Sequence, residues 1–201
     1  MEKNEILQVR TDEKTLFNDA GTLKDLPVPT RVLTIETAVQ FQHAVQEAVA
    51  LLREGELVAL PTETVYGLAA NALNSEAVHK IYTAKGRPAH NPIIIHIASL
   101  AMAQQCVAQW TEDANKLARQ FWPGPLTIVL PRGSSIPDVV TAGGNTVGVR
   151  FPLHPFMRRA IELCRFPLAA PSANPANQLS PTTAEHVLEG LRDRIPLIIN
   201  A

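Results

Sequence analysis

Two short stretches gather the side chains best suited to chemistry. In Pro61-Thr62-Glu63-Thr64-Val65-Tyr66-Gly67, three hydroxyls and one carboxylate follow the apolar run Leu57, Val58, Ala59, Leu60, where a strand should end. In open α/β sheets the crevice beyond strand ends is the usual ligand site. In Lys85-Gly86-Arg87-Pro88-Ala89-His90-Asn91-Pro92, two cations stand one residue apart, beside a glycine that allows close backbone approach and two prolines that stiffen the loop. A guanidinium offers planar bidentate contacts and an ammonium a mobile point charge, so this loop suits a phosphate or a carboxylate. The same spacing also fits a solvated basic turn. Arg150 closes an apolar strand at a second candidate edge, and Ser172 and Asn174 follow Pro171 in another polar turn.

Plainer readings stand beside each of these. Thr62 and Thr64 could merely satisfy turn backbone, and Ser172 and Asn174 could form an ordinary polar turn. His96, at the end of an apolar strand, fits a hydrogen-bonded structural histidine as well as a ligand. Trp122 reads as core packing and His154, before Pro155, as a helix start. Glu63 has three readings open: it faces solvent, binds a metal or holds Arg87. No nucleophile, base and orienter set is present, nor a carboxylate pair, so covalent catalysis is not indicated. A Walker loop and a Rossmann glycine fingerprint are also missing.

The elements that must position these groups follow from periodicity. Val39, Phe41, Ala44, Val45, Ala48, Val49, Leu51 and Leu52 recur at helical spacing between Thr37 and Arg53, with Gly55 as a stop. Further helices are predicted from Ser75 to Lys85, from Ser99 through Ala108, over Glu112–Phe121, from Pro155 to Cys164 and from Thr183 to Leu191. Strands are predicted at Leu57–Leu60, Ile93–Ile97, Leu126–Leu130, Thr146–Phe151, Leu168–Ala170 and Leu197–Ile199. A loop spans Arg132 to Asn145. Strands alternating with helices imply an α/β layer structure, with some antiparallel pairing allowed after residue 122.

Composition narrows the classes. The 201 residues are 46% apolar with a formal net charge of −1, which fits one well-packed domain and argues against a nucleic-acid coat or a polybasic membrane binder. The two cysteines, Cys106 and Cys164, lack metal-ligand spacing and read as reduced, buried thiols of a cytoplasmic protein. No metal site is expected, nor a membrane span or secretion signal. Residues 1–30, which mix charges of both signs and end near Pro27 and Pro29, read as a flexible extension to a domain over 31–201.

The segments PTETVYGLAANAL, KGRPAHNPIIIHI, FWPGPLTIVL, TVGVRFPLHP and APSANPANQLSPTT, in this order, resemble the YrdC family of threonylcarbamoyl-AMP synthases over residues 36–201. The resemblance implies a twisted, open mixed α/β sheet flanked by helices with a large concave basic cavity. It also implies a nucleotidyltransferase that joins L-threonine, bicarbonate and ATP, with Mg²⁺, to give threonylcarbamoyl-adenylate and pyrophosphate. The product would pass to a separate tRNA-modifying complex, and weak tRNA binding is allowed. Carried onto this chain, the family's pattern implies that Lys85 and Arg87 serve catalysis. It sets ATP near Arg87, Asn91, Thr146, Ser172, Asn174 and Ser180. Threonine falls near Thr64, Tyr66, His96, Arg150 and the backbone of Ala170. Family members continue past residue 201, so the resemblance implies a domain cut short at its C-terminal end. Three alternatives remain: an RNA-binding module of the same fold without catalysis, an inactive truncated form, and a carbamoyl-transferring relative from hydrogenase maturation, whose zinc-finger-like cysteines are not seen here.

Overall fold

The apolar stripe between Thr37 and Arg53 folds as helix α1, Ala38–Arg53, in the computed structural model of the protein, which describes residues 29–201. Thr37 caps it: its side chain accepts from the Gln40 N–H while the Gln40 side chain reaches back to the Thr37 N–H. Ala44, Val45, Ala48, Val49 and Leu52 face inward, as the spacing requires. The expected extension lies outside the described residues except for its last two positions, Pro29 and Thr30.

Eight strands form one mixed sheet. In chain order they are β1 (Arg31–Thr34), β2 (Val58–Leu60), β3 (Gly67–Asn71), β4 (Ile95–His96), β5 (Thr127–Pro131), β6 (Thr146–Arg150), β7 (Leu168–Ala169) and β8 (Leu197–Asn200). Across the sheet they run β1-β8-β2-β3-β7-β4-β6-β5. The pairs β1·β8, β2·β8 and β4·β6 are parallel and the other four antiparallel. The helices α2 (Ser75–Lys85), α3 (Leu100–Cys106), α4 (Glu112–Phe121), α5 (Asp138–Thr141), α6 (Pro155–Cys164) and α7 (Ala184–Leu191) complete the chain.

Four elements differ from the sequence expectation. Strand β3 was not predicted, because Gly-Leu-Ala-Ala-Asn has neither alternation nor β-branching; it is a central strand buried on both faces. Strand β1 pairs only through β8, a contact across the length of the chain. The short α5 interrupts the loop expected over 132–145. The run Ile93–Ile97 pairs over two residues only, since Pro92 has no N–H to give and the Ile93 N–H goes to the Val140 carbonyl.

Side-chain alternation divides the core. Leu68, Ala70, Ile95, Val149, Ala169 and Ile198 point to one face, where they pack with Val78 and Ile81 of α2 and Val187 and Leu191 of α7. Val58, Leu60, Ala69, Leu168, Ala170, Leu197 and Ile199 point to the other, beneath α1 and α6. This second cover stops short of the last strands. Over β4, β6 and β5 the same face stays open, with Thr146 exposed and Val129 62% exposed. Gly148 keeps the floor low: a Cβ there would come within 3.0 Å of Ile94 Cγ2 and 3.1 Å of Thr127 Cγ2.

Candidate functional site

The hydroxyl turn after β2 folds down onto this open face. Thr62 builds the turn: its Oγ1 donates to the Val65 carbonyl at 2.6 Å and accepts from the N–H groups of Thr64 and Val65, both at 3.2 Å. Two backbone bonds dock the turn, from the Tyr66 N–H to the Pro181 carbonyl and from the Ala173 N–H to the Tyr66 carbonyl, both 2.8 Å. Docked in this way, the turn meets Arg150. Its Nη2 donates to Glu63 Oε1 at 2.7 Å and to Thr64 Oγ1 at 3.0 Å. Glu63 therefore holds Arg150, and not Arg87. Burial pushes the Glu63 carboxyl up, but the hydrogen bond and charge of Arg150, with backbone donors, outweigh it and hold the group below the usual carboxylate range.

His96 sits beside Arg150 in the β4·β6 register and is 2% exposed. Burial, and then the Arg150 charge, push its imidazole down to about 3, so the ring is neutral at physiological pH. Thr64, Tyr66, Ile94, His96, Arg150 and Ala170 are among the residues lining a cavity of about 100 Å³. At roughly 30 Å³ per water this holds about three waters, the scale of a small metabolite. His96 Nδ1 and Arg150 Nε are buried without a partner among the described residues. With Nη2 bonded to the turn and Nε buried, Nη1 is the Arg150 nitrogen left to meet an anionic guest.

All five residues that the resemblance assigned to threonine thus line one cavity. Of the six assigned to ATP, only Ser172 lines this cavity. Lys85 ends α2, and Gly86, at φ 59°, turns the chain out of the helix. The Lys85 ammonium donates to the Ser172 carbonyl at 2.5 Å and to the Asn174 carbonyl. Burial, and then the nearby Arg87, push it down to about 8. The Asn174 Nδ2 donates to the carbonyls of Pro175, at 3.0 Å, and Gln178, at 2.8 Å, closing the 172–178 loop. Arg87 is half-buried and turned back on its own loop, donating to the carbonyls of Asn91 at 3.4 Å and Pro92 at 3.0 Å. Thr146 shares a face with Arg150 but stands four residues earlier, about 13 Å along a strand. Because β4 and β6 run parallel, this is the end where the 86–92 loop enters. Ser180 is exposed, next to the Pro181 that receives the Tyr66 N–H.

Ser172 alone bridges the two groups. Its side lines the cavity, and its carbonyl is tied to Lys85 from below. Lys85 and Arg87 do not line that cavity, because both cations are engaged by carbonyls. The large basic cavity also takes another form. The pocket at Arg150 is small and its cation is balanced by Glu63, while a hollow of about 910 Å³ beside the 175–182 segment carries Arg194 and Glu189, one of each sign. Sequence reasoning left Glu63 open among solvent, a metal and Arg87, without naming Arg150, and gave no task to Ile94. Adjacency to Thr64 in one turn, and the i, i+2 relation of Ile94 to His96, were the signals available. Among the described residues no group of three His, Cys, Asp or Glu could hold a metal ion.

Residues 50–201 match the model of the Sua5/YciO/YrdC family, described as "Telomere recombination". A threonylcarbamoyl-AMP synthase of Pyrococcus abyssi is 52% identical over 153 residues, covering 76% of this chain and 45% of the relative. The Bacillus subtilis protein of that name is 49% identical over 157 residues, covering 78% and 45%. The chain therefore spans about half the length of these curated relatives. The crystal structure of P. abyssi Sua5 complexed with L-threonine matches with a TM-score of 0.80 at 46% identity, over 86% of this chain and 50% of that one. On the strength of the matched residues and the shared fold, the chain belongs to the Sua5/YciO/YrdC family.

Proposed function

We propose that this chain carries the site of a threonylcarbamoyl-AMP synthase, a nucleotidyltransferase that forms threonylcarbamoyl-adenylate and pyrophosphate from L-threonine, bicarbonate and ATP. The observation that carries the reading is the small cavity of Thr64, Tyr66, His96, Arg150 and Ala170, which brings one guanidinium, a neutral imidazole and a hydroxyl together. A zwitterionic hydroxy amino acid supplies what they need: a carboxylate for Arg150, and donors or acceptors for the neutral His96 and the Thr64 hydroxyl. The relatives' names and the L-threonine held by the P. abyssi protein support the same choice.

The nucleotide lies along the open face toward Thr146, with its phosphates near Ser172, Asn174, Ser180 and the 86–92 loop. The amine of threonine, having lost a proton, bonds to the carbon of bicarbonate-derived carbon dioxide. An oxygen of the carbamate then attacks the α-phosphorus, and the bond to pyrophosphate breaks with its electron pair leaving on the departing oxygen. This chain contributes position and charge. Arg150 fixes the amino acid, Arg87 turns outward from its loop to meet phosphate, and Lys85 holds the Ser172–Asn174 turn in place. Mg²⁺, if it accompanies ATP, would be held mainly by the phosphates and would offset their charge, since no group of three His, Cys, Asp or Glu among the described residues could hold it. The adenylate then passes to a tRNA-modifying complex. No described helix is long and apolar enough to cross a membrane, and the buried free thiols of Cys106 and Cys164, pushed up to about 11 and about 12 by burial, fit a reducing cytoplasm.

Incubation with labelled threonine, bicarbonate and ATP tests this directly. Release of pyrophosphate with a labelled mixed anhydride is the expected result. Salt-dependent RNA binding without any anhydride would replace the reading by that of a binding module.

A further inference from the structure

Glu63 is the one charged group of the first turn that the proposed reaction leaves without a task. It does not line the cavity. It stands behind Arg150, with Oε1 on Arg150 Nη2 and its carboxylate beside the backbone of the Leu153–His154 segment. Two consequences follow. Nη2 is already engaged by Glu63 and Thr64 and Nε is buried, so the guanidinium plane is fixed and Nη1 is the nitrogen left for a guest. Charge is the second. Among the described residues Arg150 is the only cation on the cavity wall, His96 is neutral, and the Glu63 carboxylate behind it cancels the guanidinium, so the site is formally neutral overall. A carboxylate without an amine brings a net charge of −1 into a site that is neutral overall, whereas a zwitterion whose carboxylate meets Arg150 brings none, and so avoids that part of the desolvation cost.

We propose that Glu63 is a positioning and specificity-determining residue, which locks the Arg150 guanidinium and, by cancelling its charge, makes the pocket select a zwitterionic amino acid over a carboxylate without an amine. This rests on the reading of the cavity as the threonine site.

The test is calorimetric titration of the full chain and of Glu63→Gln and Glu63→Asp. The probes are L-threonine, its analogue with a hydroxyl in place of the amine, and ATP. Glutamine keeps an acceptor for Nη2 and removes only the charge; aspartate keeps the charge and shortens the reach. In the parent, threonine binds more tightly than the hydroxy analogue. Glu63→Gln shifts that ratio toward the analogue by about tenfold or more, the size expected when a nearby charge is removed at an effective dielectric of about 20. Glu63→Asp weakens both ligands and preserves the ratio, and ATP binding stays within about twofold of the parent throughout, because the ATP level of the face is separate. Equal weakening of both ligands by Glu63→Gln marks a merely structural role and overturns the proposal, as do unchanged affinities. A parent that binds ATP but neither small ligand overturns the reading of the cavity itself, and the proposal with it.

Discussion

Replacing Lys85 by methionine separates two meanings of this lysine: a cation offered to phosphate, or the fastener of the Ser172–Asn174 turn. The side chain is 3% exposed and its ammonium bonds the carbonyls of Ser172 and Asn174. Two buried carbonyls stripped of a donor cost about 1–3 kcal/mol each. Against this, methionine removes an ammonium that the fold holds at about 8 instead of the usual lysine value of 10.5, a burial penalty of roughly 3 kcal/mol. The net loss of global stability on Lys85→Met is therefore small, about 0–3 kcal/mol, while the loop loses both anchors. Native-state amide exchange should accelerate across residues 172–178 by about tenfold or more, with β2, β3 and β7 little changed. The sign of the pH dependence follows from proton counting. Between about 8 and 10.5 the unfolded lysine holds a proton that the folded one has released, so the Lys85 contribution to stability rises with pH across this window, and the parent should gain on Lys85→Met as pH is raised. Unchanged exchange in 172–178, together with a flat stability difference from pH 8 to 10.5, would refute the fastener role.

Other consequences are testable on the same protein. Arg150→Gln leaves the Glu63 carboxylate buried without its partner and should cost about 3–5 kcal/mol in chemical denaturation; the double change with Glu63→Gln should restore most of the stability and none of the threonine binding. The His96 imidazole holds fewer protons folded than unfolded between about 3 and 6.5, so stability should fall as pH drops through that window. His96→Gln should flatten this slope, as read by thermal unfolding against pH. Phe156, fully buried with its ring edge-on to Phe41 at 5.3 Å, anchors α6 against α1; Phe156→Ala should cost about 3–5 kcal/mol by denaturant titration.

What could be read from sequence was whatever depends on neighbours along the chain. The stripe of α1, the stop of α2 at Lys85 before Gly86, the caps at Ser99 and His154 and the grouping of polar turns are local signals, set by backbone geometry within a few residues. The five segments and their order carried the family. Only the tertiary structure decided which charges meet. Glu63 lies 87 residues from Arg150 in sequence, yet the two pair at 2.7 Å because the docked turn ends above the last residue of β6. Strand β3, poor in β-branched residues, exists because strands on either side bury it. Lys85 and Arg87, cations on an apparently open loop, are turned to carbonyls because a buried ammonium or guanidinium must find acceptors. Such pairings depend on how the sheet brings distant turns to one face, and no short-range pattern encodes that distance.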